Sequence, residues 1–313
     1  LGGAKLNKDK FSILITHLVT LLALESHNPN IAEDIKVEED CIEGEINDSQ
    51  EKDQFIWDIP EKSSQVSNLP WERDNIFLKA QEENDAYTLM AAFCSVLINP
   101  LPGEEYNVQL AAESLSGKVI QPGEVFSQNQ SIGPYTEDRG YRKGASYAGE
   151  NIIQTEGGGV CKIASTLYNV AILSDLEIIE RHNHVMPVNY VPYGQDATVA
   201  YGSKDFKFKN NKKYPILIWA EIIDNRLYMG FYGKEEAPEV KWHHNITNIV
   251  KAPKYYKNNP YLKPGEEKII IQGIDGATAE SWLTIKYKDG TIKTKKLGIS
   301  RYLPLPYIIE INR

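Results

Sequence analysis

The sequence predicts an α+β fold, in which a helix carrying Cys161 packs on a mainly antiparallel sheet and a small all-β domain follows at the C-terminus. Three observations lead there. Val160 to Ser174 places Ile163, Leu167, Val170 and Ala171 on one face at helical spacing. The apolar runs 215–223 and 226–232 flank Asp224-Asn225, a pair that tolerates the positive φ of a tight hairpin turn. After residue 259, alternating segments separated by glycine turns read as short strands. The expected organisation is a signal or anchor-like segment (1–24), an acidic stalk (25–69), the α+β domain (70–233), a linker (234–258) and the β domain (259–313).

Along the chain, Lys5, Lys8 and Lys10 precede the apolar run Phe11 to Leu24, which is 14 residues long. That is short of the roughly 20 residues an ordinary spanning helix needs, and reads as a signal or short anchor. Glu25 to Lys62 holds 13 acidic and three basic residues, so the formal net charge of −9 belongs to this segment and the remainder is near neutral. Like-charged, weakly apolar sequence cannot bury enough surface to fold alone, hence the stalk. With no basic stripe and no interleaved aromatics, nucleic acid is excluded as a partner. The 42% hydrophobic content of the 313 residues still suffices for a sizeable core. Three cysteines, Cys41, Cys94 and Cys161, do not make a disulfide framework.

The folded part is expected to begin after Pro70-Trp71, with a helix and then the apolar stretch Tyr87 to Ile98. A short helix follows over Asn107 to Leu115, with Val108, Ala111, Ala112 and Leu115 on one side. Pro122-Gly123 turns the chain into Glu124 to Ser127, and Gly133-Pro134 and Gly140 punctuate a long loop before the cysteine helix. Beyond that helix, Leu176 to Val185 alternates as a strand, and Asp196 to Tyr201 reads as a second strand. The hairpin 215–232 is expected to extend the same sheet. The tandem His243-His244 fits a linker. In the last segment, 267–271, 282–287 and 291–296 are the expected strands of an independently folding unit.

The chemistry concentrates around Cys161. A thiol at a helix N-terminus meets backbone N–H groups and the positive end of the helix dipole, which favours the nucleophilic thiolate. His184 and Asp196 follow in the order of a Cys-His-Asp hydrolase or acyl-transferase, as base and orienter. His182 and His184 are two apart and point to opposite strand faces, so at most one faces the cysteine. Gln128, Asn129, Gly158, Gly159 and Ser165 are the candidate oxyanion or substrate-binding residues, beside the Cys161 backbone N–H. Lys162 adds a positive charge next to the thiol. A buried structural cysteine is the plain alternative. Cys161, a histidine and Asp196 are acceptable zinc ligands, but no CxxC or HExxH accompanies them, and neither metal nor cofactor is expected.

Four motifs, GEVFSQNQSIGP (123–134), GGGVCKIASTLYN (157–169), RHNHVMPVNYVPYGQDATVAYG (181–202) and DFKFKNN (205–211), resemble in order those of the VanW-like family. That family is named after an accessory protein of vancomycin-resistance gene clusters. Lys162 and Ala164 depart from the Gln and Ser usual there. The resemblance covers about Asn107 to Gly233 and implies an extracytoplasmic, membrane-anchored or secreted bacterial envelope protein, without implying a particular reaction. The helix-Cys, strand-His, strand-Asp order is also similar to the transglutaminase-like branch of papain-type folds. Tyr261 to Gly265, Ile271 to Gly273, Asp275-Gly276, Lys288 to Gly290 and Tyr302 to Pro306 resemble the five-glycine domain of bacterial surface proteins, which is associated with wall or glycan adhesion. Peptidoglycan or a wall peptide is therefore the expected partner. The expected functions are a Cys-dependent amide hydrolase or acyl or peptidyl transferase, or else a non-catalytic wall-binding scaffold using the same groove.

Overall fold

The computed structural model describes residues 55–98, 100, 103–148 and 151–312. The expected signal or anchor segment, the stalk up to residue 54 and Cys41 lie outside the described residues. Along the chain run β1 (Ser64–Val66), α1 (Asn75–Asn84), β2 (Thr88–Val96), α2 (Glu104–Leu115), β3 (Lys118–Ile120), β4 (Val125–Ser127), α3 (Gln128–Ile132), β5 (Lys143–Ala148), β6 (Asn151–Glu156) and α4 (Cys161–Leu173). Then follow β7 (Glu177–Glu180), β8 (Lys207–Lys209), β9 (Ile216–Ile223), β10 (Arg226–Gly233), β11 (Glu239–Val250), β12 (Lys254–Asn258), β13 (Glu267–Ile271), β14 (Gly276–Lys286), β15 (Ile292–Tyr302) and β16 (Tyr307–Ile311). The fold is mixed α+β, mostly antiparallel, with an all-β C-terminal region. No helix among the described residues is long and apolar enough to cross a membrane.

The central sheet has the order β1-β2-β10-β9-β3, with every pairing antiparallel. Its inner strands are apolar on both faces, which is why they read as continuous apolar runs. In β2, Ala91 and Phe93 face one core while Ala92 and Cys94 face another. In β9, Ile216, Ile218 and Ala220 alternate in the same way with Leu217 and Trp219. The larger core lies under α2 and α4, and the smaller is closed by α1 and the chain leading into it. Asp74 caps α1 by accepting from the N–H groups of Ile76 and Phe77.

Four expectations are corrected. Part of the predicted stalk is folded: β1 pairs with β2, Leu69 is fully buried, and the Asp58 and Pro60 carbonyls accept from Tyr228 and Arg226. The acidic composition hid a few apolar anchors. Asp196 to Tyr201 is not a strand, and the strand before it stops at Glu180, so His184 and Asp196 both sit on loops. The transglutaminase-like or papain-like pattern is therefore absent at its strand-His and strand-Asp steps. Nor does the 216–233 hairpin extend the sheet leading to His184, because β7 belongs to a separate β4-β8-β7 sheet. Finally, the expected linker is built of strands: β11 pairs with β14 over most of its length and β12 pairs parallel with β16.

The C-terminal region is accordingly not a bead on a string. It consists of the β11-β14-β15 and β12-β16-β13 sheets, but Leu283 and Ile285 of β14 belong to the large core beneath α4. Its own core is small, formed by Ile271, Leu305 and Ile308 with Met186 packed against them. Expression of 259–313 alone would omit β11 and the apolar surface that Leu283 and Ile285 cover.

The N-terminal boundary can be measured. A chain beginning at Pro70 loses β1 and the buried side chains of Val66 and Leu69. At about 1.5–3 kcal/mol per buried aliphatic side chain, it should be less stable in urea unfolding by about 3–6 kcal/mol than a chain beginning at Phe55. Equal stability would mean that the 55–69 segment is ornamental.

Candidate functional site

Three glycines deliver the chain to Cys161. Gly157 and Gly159 hold φ of +67° and +108°, in the region that side-chain-bearing residues rarely adopt. Gly158 crosses Gly144 so closely that an added Cβ would lie 2.5 Å from the Gly144 carbonyl. Asn107 fixes this crossing by donating to the carbonyls of both Gly158 (2.9 Å) and Arg142 (2.8 Å). Cys161 then opens α4, half-buried, as expected at the helix N-terminus.

The polar stripe of α4 fixes the neighbouring segments. Ser165 Oγ donates to the Ala197 carbonyl (3.1 Å) and accepts from the Ala197 N–H (2.9 Å). Asn169 donates to the Gln195 carbonyl at 2.8 Å, and Thr166 meets Ser95 of β2 at 2.7 Å. The stripe therefore clamps residues 195–197 along the helix and sets Asp196 beside it. Lys162 is turned into the protein, paired with Glu104 at 2.9 Å. The expected push of its charge on the thiol is largely offset by that carboxylate.

Asp196 is buried and accepts from four groups. The His184 backbone N–H and ring Nδ1 reach Oδ2 at 2.7 and 2.6 Å. Arg181 reaches Oδ1 at 2.9 Å, where the Tyr302 hydroxyl also donates. With Nδ1 committed, the His184 nitrogen left for the thiol is Nε2. His182 turns away to Glu180 at 3.0 Å, so His184 is the histidine that meets Cys161. The sulfur also meets Thr198 Oγ1 at 3.3 Å and accepts from the Val199 N–H at 3.5 Å.

These contacts set the protonation states. Burial alone pushes the Cys161 thiol up, but hydrogen bonding and charge from His184, then Thr198 and Val199, bring it down to about 7. Burial depresses His184, yet its bonds to Asp196 and Cys161 raise it to about 9. Burial acts to raise Asp196, and is outweighed by His184 and Arg181, which hold its carboxyl below the usual range. Between pH of about 7 and 9 the favoured state is thus thiolate, imidazolium and carboxylate in a row. The other described cysteine, Cys94, is pushed by burial to about 12 and is inert by comparison.

The remaining predicted residues have structural partners. Asn129 donates to the Lys204 carbonyl and accepts from the Tyr135 hydroxyl, both at 2.9 Å, so its side chain is committed away from an oxyanion. Gln128 donates to the Val160 carbonyl at 3.2 Å and braces the turn before Cys161. Gly158 and Gly159 shape the backbone, and Ser165 is buried against Ala197 rather than offered to a ligand. Arg181, Thr198 and Tyr302 were missed. Arg181 and Thr198 carry no spacing that marks them, and Tyr302 lies over a hundred positions away from Asp196. Among the described residues, no group of three or more His, Cys, Asp or Glu side chains is arranged to hold a metal ion.

Two substitutions test this scaffold. Arg181→Ala leaves Asp196 buried with one cationic partner fewer, and should cost about 3 kcal/mol in urea unfolding. A loss below about 0.5 kcal/mol would mean that His184 and Tyr302 satisfy the carboxylate alone. Gly158→Ala forces the Gly144 strand away and should cost about 1–3 kcal/mol, read as a lowered thermal midpoint.

Comparison with known proteins finds similarity over the part of the chain that contains Cys161. Residues 103–232 match the family model described as VanW like protein. The chain is 35% identical over 148 residues to the uncharacterized protein YoaR of Bacillus subtilis (strain 168), covering 47% of each protein. It is 32% identical over 127 residues to the vancomycin B-type resistance protein VanW of Enterococcus faecalis (strain ATCC 700802 / V583), covering 39% of this chain and 46% of that one. The chain thus spans about half the length of these curated relatives. Among solved structures, the IgA1 protease G5 domain is 18% identical with a TM-score of 0.16, covering 25% of this chain and 95% of its own. HP0197-G5 is 13% identical with a TM-score of 0.14, covering 24% and 99%. Scores this low carry no structural argument. The sequence matches do: residues 103–232 form a VanW-like domain, homologous to the matching parts of YoaR and VanW.

Proposed function

We propose that this is an extracytoplasmic cell-envelope protein that acts on acyl or amide bonds of peptidoglycan peptides through Cys161, His184 and Asp196. The observation that carries the reading is the coupling of a helix-terminal thiol to a histidine whose other nitrogen is held by a buried carboxylate. The envelope location is supported by the VanW-like domain, a relative of which is named for vancomycin resistance, and by the resemblance of the C-terminal segment to five-glycine domains.

In this scheme the Cys161 thiolate attacks the acyl carbon while the carbonyl oxygen takes up the negative charge. The Cys161 backbone N–H, in the first turn of α4 where the helix offers no acceptor, is the oxyanion donor. The C–N bond then breaks, and His184 gives its Nε2 proton to the departing amine, leaving a thioester. Water, or a second amine, attacks the thioester and passes a proton back to His184, and the C–S bond breaks to restore the thiolate. Asp196 keeps Nδ1 protonated and the ring aimed at the sulfur throughout. A binding scaffold is the second reading, favoured by the hydrogen bonds that tie the sulfur to Thr198 and Val199.

Alkylation of Cys161 against pH separates the two. The wild-type rate should rise with a midpoint near 7. In His184→Ala the cationic partner is gone while burial remains, so the midpoint should climb to about 9 or above, roughly a hundredfold less thiolate at neutral pH. Asp196→Asn should move it less, because the ring remains. If Cys161 reacts only after unfolding, the thiol is structural and the scaffold is the correct account.

A further inference from the structure

On the side of the site formed by the C-terminal sheets, a groove enclosing about 370 Å³ runs between the 183–185 loop and strands β11, β14 and β15. The volume is that of a small-ligand site. Its position ties it to the chemistry, because His184 is part of its wall and Tyr302, whose hydroxyl holds Asp196, is another. A ligand lying in the groove therefore lies against the loop that carries His184.

Its lining selects a ligand. Arg301 lines the groove and is exposed, and no carboxylate is among the lining residues, so an anionic group is the fitting guest. A guanidinium presents a planar fork of donors that matches a carboxylate in two parallel hydrogen bonds. The remaining walls combine aliphatic Val185, Val250, Ala277 and Leu303 with the small polar Asn183, Asn248 and Thr278, and Val250 and Leu303 are 53% and 64% exposed. Such walls accept methyl-sized side chains. A sugar is less well suited, because Tyr302 is buried and is the one Tyr, Trp or Phe in the lining. The two sides of the groove are also tied together. Asn183 donates to the Arg301 carbonyl at 3.0 Å and the Leu303 N–H donates to the Val185 carbonyl at 2.8 Å, fixing the His184 loop to the end of β15.

We infer that this groove is a subsite for the free α-carboxylate end of a short peptide with small side chains, with Arg301 pairing the carboxylate and the peptide chain running toward His184. The inference rests on the proposed role of the Cys161 centre and names its substrate class. It also makes the C-terminal region one wall of the site rather than a separate adhesion module.

The test is calorimetric titration of the full chain carrying Cys161→Ala, which removes turnover, and of the wild type in parallel. The probes are N-acetyl-trialanine as the free acid and as the C-terminal amide, each in the all-L and all-D form. The free acid of one stereochemical series should bind at least tenfold more tightly than its amide. Arg301→Ala should abolish that preference, and Arg301→Lys should retain part of it. Because Arg301 is exposed, its variants should unfold at the wild-type temperature. The inference is overturned if acid and amide bind alike, if Arg301→Ala keeps the preference, or if none of the four peptides binds. An unreactive Cys161 combined with an Arg301-dependent preference for the acid would end the enzyme reading and leave the groove as a peptide-binding site.

Discussion

The arrangement of the whole site depends on the buried negative charge of Asp196. A carboxylate taken from water is costly unless its oxygens are fully engaged. Here the engagement is drawn directly from two parts of the chain: the 181–184 loop through Arg181 and His184, and β15 through the Tyr302 hydroxyl. The helix contributes indirectly, since Ser165 and Asn169 hold the residues on either side of Asp196. Moving any one of these parts would leave the charge under-solvated, so the carboxylate acts as a rivet through the VanW-like domain and the C-terminal sheets.

Other contacts along the same seam share that constraint. Arg181 reaches past Asp196 to Ser300 at 2.8 Å, and Gln195 meets His244 at 3.0 Å. The Gly194 N–H donates to the Tyr302 hydroxyl at 2.8 Å, and a side chain at Gly194 would run into Ser281 and His244. The loop carrying His184 and Asp196 is therefore shaped as much by the C-terminal sheets as by the helix it serves. His244, which in the sequence looked like half of an idle tandem pair in a linker, is a strut of that seam, with its other nitrogen on Ser281.

What was legible in the sequence follows from what generates a pattern. α4 prints a period of 3.6 on its residues, and the 216–233 hairpin, buried on both faces, shows as two continuous apolar runs about Asp224-Asn225. The position of Cys161 was legible for a related reason, because a helix start after glycines is a local feature. β11 was not, since most of its side chains are partly or fully exposed and its charged sequence looks like a linker. Residues 181–185 and 196–201 were misread as strand. They are ordered by individual hydrogen bonds, such as the Thr198 N–H to the His182 carbonyl at 2.8 Å, and these leave no period to detect. Tyr302 and Arg181 were illegible because partners of a buried charge are chosen by tertiary proximity.

The same rivet explains why the thiol is depressed although it is buried. Burial opposes the thiolate, and the helix terminus alone offsets only a modest part of that opposition. The decisive group is an imidazolium, itself disfavoured by burial and sustained by Asp196 and by the thiolate it faces. Thiolate and carboxylate therefore act on each other through one ring, and neither protonation state can be assigned without the other. The consequence is structural. A site whose charge balance depends on Asp196 takes one of that carboxylate's hydrogen bonds from Tyr302, so the C-terminal sheets complete its surroundings and the two regions form one structural unit.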